Sequence, residues 1–263
     1  MPHAVSRLRA ACLTDRPTRP RLDRAGLRAD RCERCRLVAS HCLCALRPVV
    51  PTHAALCLLM AEFEPLKPSN TGWLVADVVP DTSAFGWSRL HADAALLARL
   101  ADPQWQPVVV FPGEFAAPER VVSQVASDPA RPGARPLFVL LDGTWSEARK
   151  MFRKSPYLDA LPVLSLGGPN PLTRYQLRRS SHDHHFCTAE VAARCLDLAG
   201  DHHAAQTLEA YLALYSHRYL RARQSVPHDP LDASQQRLQA LSRAMPDASA
   251  TPDAPVSQPA PRP

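Results

Sequence analysis

The stretch that decides the fold is Leu137-Phe138-Val139-Leu140-Leu141-Asp142-Gly143-Thr144-Trp145-Ser146-Glu147-Ala148-Arg149-Lys150-Met151. An unbroken apolar run of strand length ends at Asp142, turns through Gly143 and enters a helix at Thr144. Thr144 and Glu147 stand at capping-box spacing. A strand apolar at every residue is covered on both faces, as in a parallel sheet and unlike a half-solvated antiparallel one. Asp142 therefore falls at the carboxyl end of a buried strand, beside a helix N-terminus. Along the helix Trp145, Ala148 and Phe152 share one face, while Arg149, Lys150, Arg153 and Lys154 form a basic stripe. Taken alone, the segment also reads as a capped α/β turn with a solvated basic face.

Further strand-length apolar runs lie at 54–61, 108–111 and 163–166, and helix-period segments at 92–100, 145–154, 188–199 and 204–221. In the last, Leu208, Tyr211, Leu212, Tyr215 and Tyr219 line one face. Continuous strands separated by helices predict an α/β fold, a mostly parallel sheet with helices on both faces. Ligands of such sheets bind at the carboxyl ends of the strands, here the loops after Phe111 and Leu141. With 263 residues, 46% hydrophobic and 21% charged, the chain is neither fibrous nor disordered as a whole. Its longest apolar run, the eight residues 54–61, falls far short of the roughly 20 that cross a membrane.

Composition divides the chain into four parts. Residues 1–31 form a basic arm, eight arginines against three aspartates, expected to be flexible. It suits a polyanionic partner, or is a solvated leader. No apolar segment follows it, so a secretory signal is not expected and the compartment expected is the cytoplasm. Residues 32–50 hold a metal-binding motif and 51–225 the periodic segments. Residues 226–263 form a mostly disordered tail, with six prolines among the last eighteen residues and a short helical stretch at 235–244.

Cys32, Cys35, Cys42 and Cys44 are spaced C-x2-C-x6-C-x-C. Four thiolates within thirteen residues can converge on one tetrahedral ion, for which Zn²⁺ is the usual guest. An iron–sulfur cluster and two disulfides are the alternatives, and His41 could replace one ligand. Cys57 and Cys195 read as core thiols.

Other segments accompany the Asp-Gly-Thr-Trp turn in order: Lys67-Pro-Ser-Asn-Thr-Gly72, Phe111-Pro-Gly-Glu114, Ser155-Pro-Tyr-Leu158, Tyr175-Gln-Leu-Arg-Arg179 and Phe186-Cys-Thr-Ala-Glu-Val191. Together with the cysteine cluster this series resembles the DTW-domain family, the tRNA-uridine aminocarboxypropyltransferases, over roughly residues 32–220. Only the segment Met60-Ala-Glu-Phe-Glu-Pro65 diverges. The resemblance implies a SPOUT-like domain, knotted in that wider group, that uses S-adenosylmethionine as co-substrate. It implies transfer of the 3-amino-3-carboxypropyl group to N3 of a tRNA uridine, expected in the variable loop, with release of methylthioadenosine. It also implies catalytic roles for Asp142, Thr144 and Trp145, and S-adenosylmethionine contacts for Phe111, Pro112, Gly113, Asp142, Gly143, Leu177, Thr188 and Glu190. Ser69, Asn70, Thr71, Arg149, Lys150, Arg178 and Arg179 are the implied substrate contacts. Uridine N3 is mostly protonated at neutral pH, so a carboxylate must accept its proton, and Asp142 is the candidate. A SPOUT-type RNA methyltransferase and a non-catalytic zinc-containing RNA-binding protein are the competing readings. The partner expected is tRNA; no membrane and no obligate protein partner is expected.

Overall fold

The computed structural model describes residues 2–14, 31–125, 131–166, 177 and 186–244. Among these residues one sheet of six strands forms the centre: β1 (Ala55–Met60), β2 (Thr82–Gly86), β3 (Trp105–Val110), β4 (Val121–Val122), β5 (Arg135–Asp142) and β6 (Val163–Leu164). Their order is β2-β1-β5-β3-β6-β4, and every pairing is parallel.

The helices are α1 (Ala4–Thr14), α2 (Gly72–Val78), α3 (Ala94–Ala101), α4 (Trp145–Arg153), α5 (Thr188–Leu198), α6 (His202–Arg223) and α7 (Ala233–Arg243). Successive side chains of a strand point to opposite faces, and the two middle strands divide accordingly. Leu56, Leu58, Met60, Phe138 and Leu140 join α2, α5 and α6 in one core, with Val5 of α1 and Leu238 of α7. Cys57, Leu59, Leu137 and Val139 join α3 and α4 in the other. The α/β fold with a parallel sheet covered on both faces is thus as the sequence predicts. Every residue of β1 is buried, which is why it reads as an uninterrupted apolar run.

The register sets the site. Met60 at the end of β1 stands opposite Asp142 at the end of β5, and Gly86 at the end of β2 stands opposite Met60. The carboxyl edge of the sheet therefore gathers the 61–71 loop, the turn at Gly143 and the start of α5.

Two elements differ from expectation at the chain's ends. Ala4–Thr14 is helical where the sequence reads a flexible arm: Val5 is fully buried, and α1 packs on β2 and the turn at 64–66. At the other end α7 takes the place of the short helix expected before the tail. The rest of the arm, 15–30, and of the tail, 245–263, lies outside the described residues. No helix among the described residues is long and apolar enough to cross a membrane.

Candidate active site and metal centre

Asp142 continues the alternation of Phe138 and Leu140, so its side chain turns toward the layer of α2 and α5, and it is 3% exposed. Its Oδ1 accepts a hydrogen bond from Thr188 Oγ1 at 2.8 Å, and its Oδ2 accepts one from Asn70 Nδ2 at 2.8 Å. The amide of Asn70 has a single workable orientation, because its Oδ1 accepts from the backbone N–H of Trp73 at 3.0 Å. Its Nδ2 then donates to two carboxylates, Asp142 and Glu64 Oε2, the latter at 3.1 Å. Glu64 is completely buried and takes the Lys67 ammonium at 2.5 Å. A Cβ at position 72 would lie 2.4 Å from Asp142 Oδ2. Only glycine lets α2 begin that close to the carboxylate.

Asp142 does not cap α4; Thr144 does. The Thr144 hydroxyl accepts from Glu147 N at 3.3 Å, while Thr144 N donates to Glu147 Oε2 at 2.8 Å, the reciprocal arrangement expected from the spacing. The same device opens α5, where Glu190 Oε2 accepts from Cys187 N at 2.8 Å. Thr71 Oγ1 accepts from Ala189 N at 3.3 Å. Burial pushes the Cys187 thiol well above its ordinary range, so it stands near the carboxylate as a neutral thiol, not as a nucleophile.

A second group lines the same edge of the sheet. Phe111, just past β3, stacks on Trp145 with ring centroids 5.4 Å apart and on Phe152 at 4.5 Å. Phe115 meets Trp145 edge-on at 5.7 Å. Gly113 N donates to Ser165 Oγ at 3.1 Å. The exposed Arg149 lies over the Phe115 ring at 5.1 Å, and Lys150 lies 5.6 Å from the Trp87 ring centroid.

The residues expected to act together thus fall into two groups. Asp142, Asn70, Thr71, Thr188 and Glu190 converge, as do Phe111, Trp145 and Arg149, whereas Thr144 turns into its own helix cap. Leu177 packs at the margin of the core with α5 and α6, and Ser69 is half-buried in the 64–71 loop. Arg178 and Arg179 lie outside the described residues. Sequence reasoning missed Glu64 and Lys67. The signal was a carboxylate and a lysine three residues apart just after a buried strand, but their burial is a property of the fold.

The four cysteines form one cage, their Sγ atoms all within 4.8 Å of one another. Cys32 and Cys44 are 3.5 Å apart, Cys35 and Cys42 3.7 Å, and Cys42 and Cys32 3.7 Å. Ligand bonds of about 2.3 Å place the sulfurs of a tetrahedral ion about 3.8 Å apart, whereas a disulfide needs about 2.05 Å. The set fits one ion. Leu43 N donates to Cys35 Sγ at 3.4 Å and Cys44 N to Cys42 Sγ at 3.5 Å, contacts that favour thiolates. His41 is turned away, its Nε2 2.9 Å from Val226 O and its Nδ1 3.0 Å from Ser40 Oγ.

One face of α6 braces these parts. Tyr211 Oη donates to Asp77 Oδ2 at 3.2 Å and Tyr215 Oη to the Pro68 carbonyl. Arg218 donates to the Cys42 carbonyl at 2.6 Å.

The profile of the DTW domain matches residues 29–220. The chain is similar to tRNA-uridine aminocarboxypropyltransferase 2 of Drosophila melanogaster, 26% identical over 190 residues that span 66% of this chain and 71% of that protein. No solved structure matches.

Proposed function

The chain belongs to the DTW-domain family, and from that membership we propose that it is a tRNA-uridine aminocarboxypropyltransferase. The 3-amino-3-carboxypropyl group of S-adenosylmethionine passes to N3 of a tRNA uridine, in the variable loop by our reading, and methylthioadenosine is released. The observation that carries this reading is the buried Asp142 carboxylate at the carboxyl end of β5, held by Asn70 and Thr188.

The chemistry needs a base for a weakly acidic N–H and an anion near a sulfonium. Asp142 supplies both. The N3 proton passes to its carboxylate while N3 attacks the methionine-side carbon bonded to sulfur. That C–S bond breaks, and its electron pair stays on sulfur as the thioether of methylthioadenosine. Asn70 can only donate to Oδ2, which reserves Oδ1 for the proton. The Thr188 hydroxyl can rotate from donating to accepting, so a protonated Oδ1 keeps a partner.

Phe111, Pro112, Gly113, Gly143, Leu177, Thr188 and Glu190 border the co-substrate in this reading, and Trp145 offers an aromatic wall or a base-stacking face. Thr144, exposed at the mouth of the helix, serves catalysis by fixing the turn after Asp142. Ser69, Asn70 and Thr71 line the substrate side. Arg149 and Lys150, with Arg178 and Arg179, meet tRNA phosphate, where guanidinium forks bind strongly. The cage of Cys32, Cys35, Cys42 and Cys44 holds a structural Zn²⁺, a single ion that stiffens the knuckle around it.

The test is a labelling experiment with purified protein and tRNA. Label on the methionine carboxyl carbon should enter the RNA and methyl label should not. Methyl transfer would make the protein a methyltransferase, and no transfer of either label would leave it a binding protein.

A further inference from the structure

The knuckle and the catalytic loop are joined by one side chain. Arg36 follows the ligand Cys35 with φ 63°, a left-handed conformation that glycine adopts freely and arginine does not. The turn that holds it there is closed by Arg36 N donating to Cys32 O and Cys32 N to Leu37 O, both at 2.8 Å. A residue kept in a disfavoured conformation in a six-residue turn of free choice invites a reason, and the side chain supplies one. It is 4% exposed and runs over the Trp73 indole at 4.1 Å into the hollow of the 64–71 loop. Nη1 donates to the carbonyls of Lys67 at 2.7 Å and Pro65 at 3.3 Å. Nη2 donates to those of Asn70 at 3.1 Å and Pro68 at 3.3 Å.

Four carbonyls of one loop thus converge on one guanidinium. The amides of that loop face the other way, into short turns: Lys67 N donates to Glu64 O at 3.1 Å and Asn70 N to Lys67 O at 3.0 Å. Two prolines, Pro65 and Pro68, bring no N–H of their own. The loop has no strand partner among these bonds, so its carbonyls depend on Arg36. The backbone of Asn70 is gripped at its carbonyl, and its side chain carries the contact to Asp142.

We propose that Arg36 is a positioning residue: the cysteine knuckle fixes its backbone, and its fork sets the 64–71 loop and the aim of Asn70 at Asp142. Its consequence for catalysis rests on the reading of Asp142 given above, whereas its effect on the loop does not. Lysine in its place keeps the charge but offers one nitrogen where the fork offers two, and it loses the planar stack on Trp73.

The test compares wild type, Arg36→Met and Arg36→Lys by hydrogen exchange, with bound metal measured on the same samples. Methionine is unbranched like arginine, so the turn carries the same backbone strain and only the fork is lost. Amides in 62–71 should exchange at least about tenfold faster in Arg36→Met, as expected when more than one hydrogen bond to a loop is removed. Arg36→Lys should fall between the two, with metal retained in both. Transfer should drop mainly in kcat, because the base is misplaced and the co-substrate walls at Phe111 and Gly113 are untouched. Wild-type exchange in 62–71 overturns the proposal, as does loss of metal together with loop protection, which would make Arg36 a fold residue of the knuckle. If Arg36→Met does not fold, Arg36→Lys decides by the same exchange measurement. A wild type without transfer activity sinks the functional reading and leaves the exchange result standing.

Discussion

A carboxylate held by one fixed donor and one reversible donor makes a sharp prediction for its own replacement. In Asp142→Asn the new amide oxygen can face Asn70, and its NH₂ can donate to a Thr188 hydroxyl turned to accept. The variant should fold and bind both substrates, yet lose transfer on the order of 10²-fold or more, the usual loss for a missing general base. It should regain part of the rate at alkaline pH, where uridine N3 ionises unaided. Near-wild-type transfer at neutral pH removes Asp142 from the role. Gly72→Ala tests the same spot sterically. Its methyl would meet Asp142 Oδ2 at 2.4 Å, so α2 or the carboxylate must move, with a stability loss of about 1–3 kcal/mol and slower transfer. Unchanged melting and unchanged turnover would show that the contact relaxes freely.

Individual elements were legible to very different degrees. The strands β1, β3, β5 and β6 and the helices α3 to α6 announce themselves because burial on one or both faces writes a period into the sequence. β2 does not: Thr82-Ser-Ala-Phe-Gly86 is an edge strand with one neighbour, half-buried over most of its length. α2 is seven residues that begin at a glycine, too short to show a period and started there by the closeness of Asp142. Asp142, Asn70 and Thr188 were legible as site residues through the family resemblance. The buried Glu64 and Arg36 were not, since charged residues in loops normally read as solvated. α1 hides for another reason: it is anchored by a few contacts, among them His3, which lies edge-on to Trp73 at 4.4 Å and 3.6 Å from Asp77. Burial, with Arg47 and Arg36 nearby, pulls the His3 imidazole down from 6.5 to about 3. Burial pushes the Asp77 carboxyl up from 3.8 to about 6, against the pull of Arg47. Folded His3 binds fewer protons than unfolded His3 between about pH 3 and 6.5, so its contribution weakens as pH falls through that window. Asp77 acts oppositely, favouring the folded state as pH falls from about 6 toward 3.8. The two oppose each other in the wild type. His3→Gln should uncover Asp77 and gain about 2–3 kcal/mol on the wild type between pH 6.5 and 4.5, read by urea unfolding. Stability curves that stay parallel over that range would contradict the assignment. For the knuckle, Cys32→Ser should lose about one bound zinc and melt several degrees lower; metal-free protein as stable as the wild type would refute a structural ion.

For the whole molecule, net charge +6 matters less than where the charge sits. The 1–31 segment cannot be deleted cleanly to test RNA binding, because Val5 of α1 is part of the core. The exposed stripe of Arg149, Lys150, Arg153 and Lys154 can be neutralised. Changing all four to glutamine should weaken tRNA binding and flatten the plot of log affinity against log salt by about 3, nearly one per phosphate contact. An unchanged slope would put the tRNA elsewhere. The bracing face of α6 has a consequence of another kind, in time. The knuckle's carbonyl at Cys42 waits for Arg218, 176 residues further along, and the loop carbonyl at Pro68 waits for Tyr215, 147 residues along. On the ribosome the four thiols emerge early, while the helix that braces them is made near the end. A nascent chain stalled before residue 200 should therefore exchange its ion readily with a competing chelator, and only release of α6 should seal the cage.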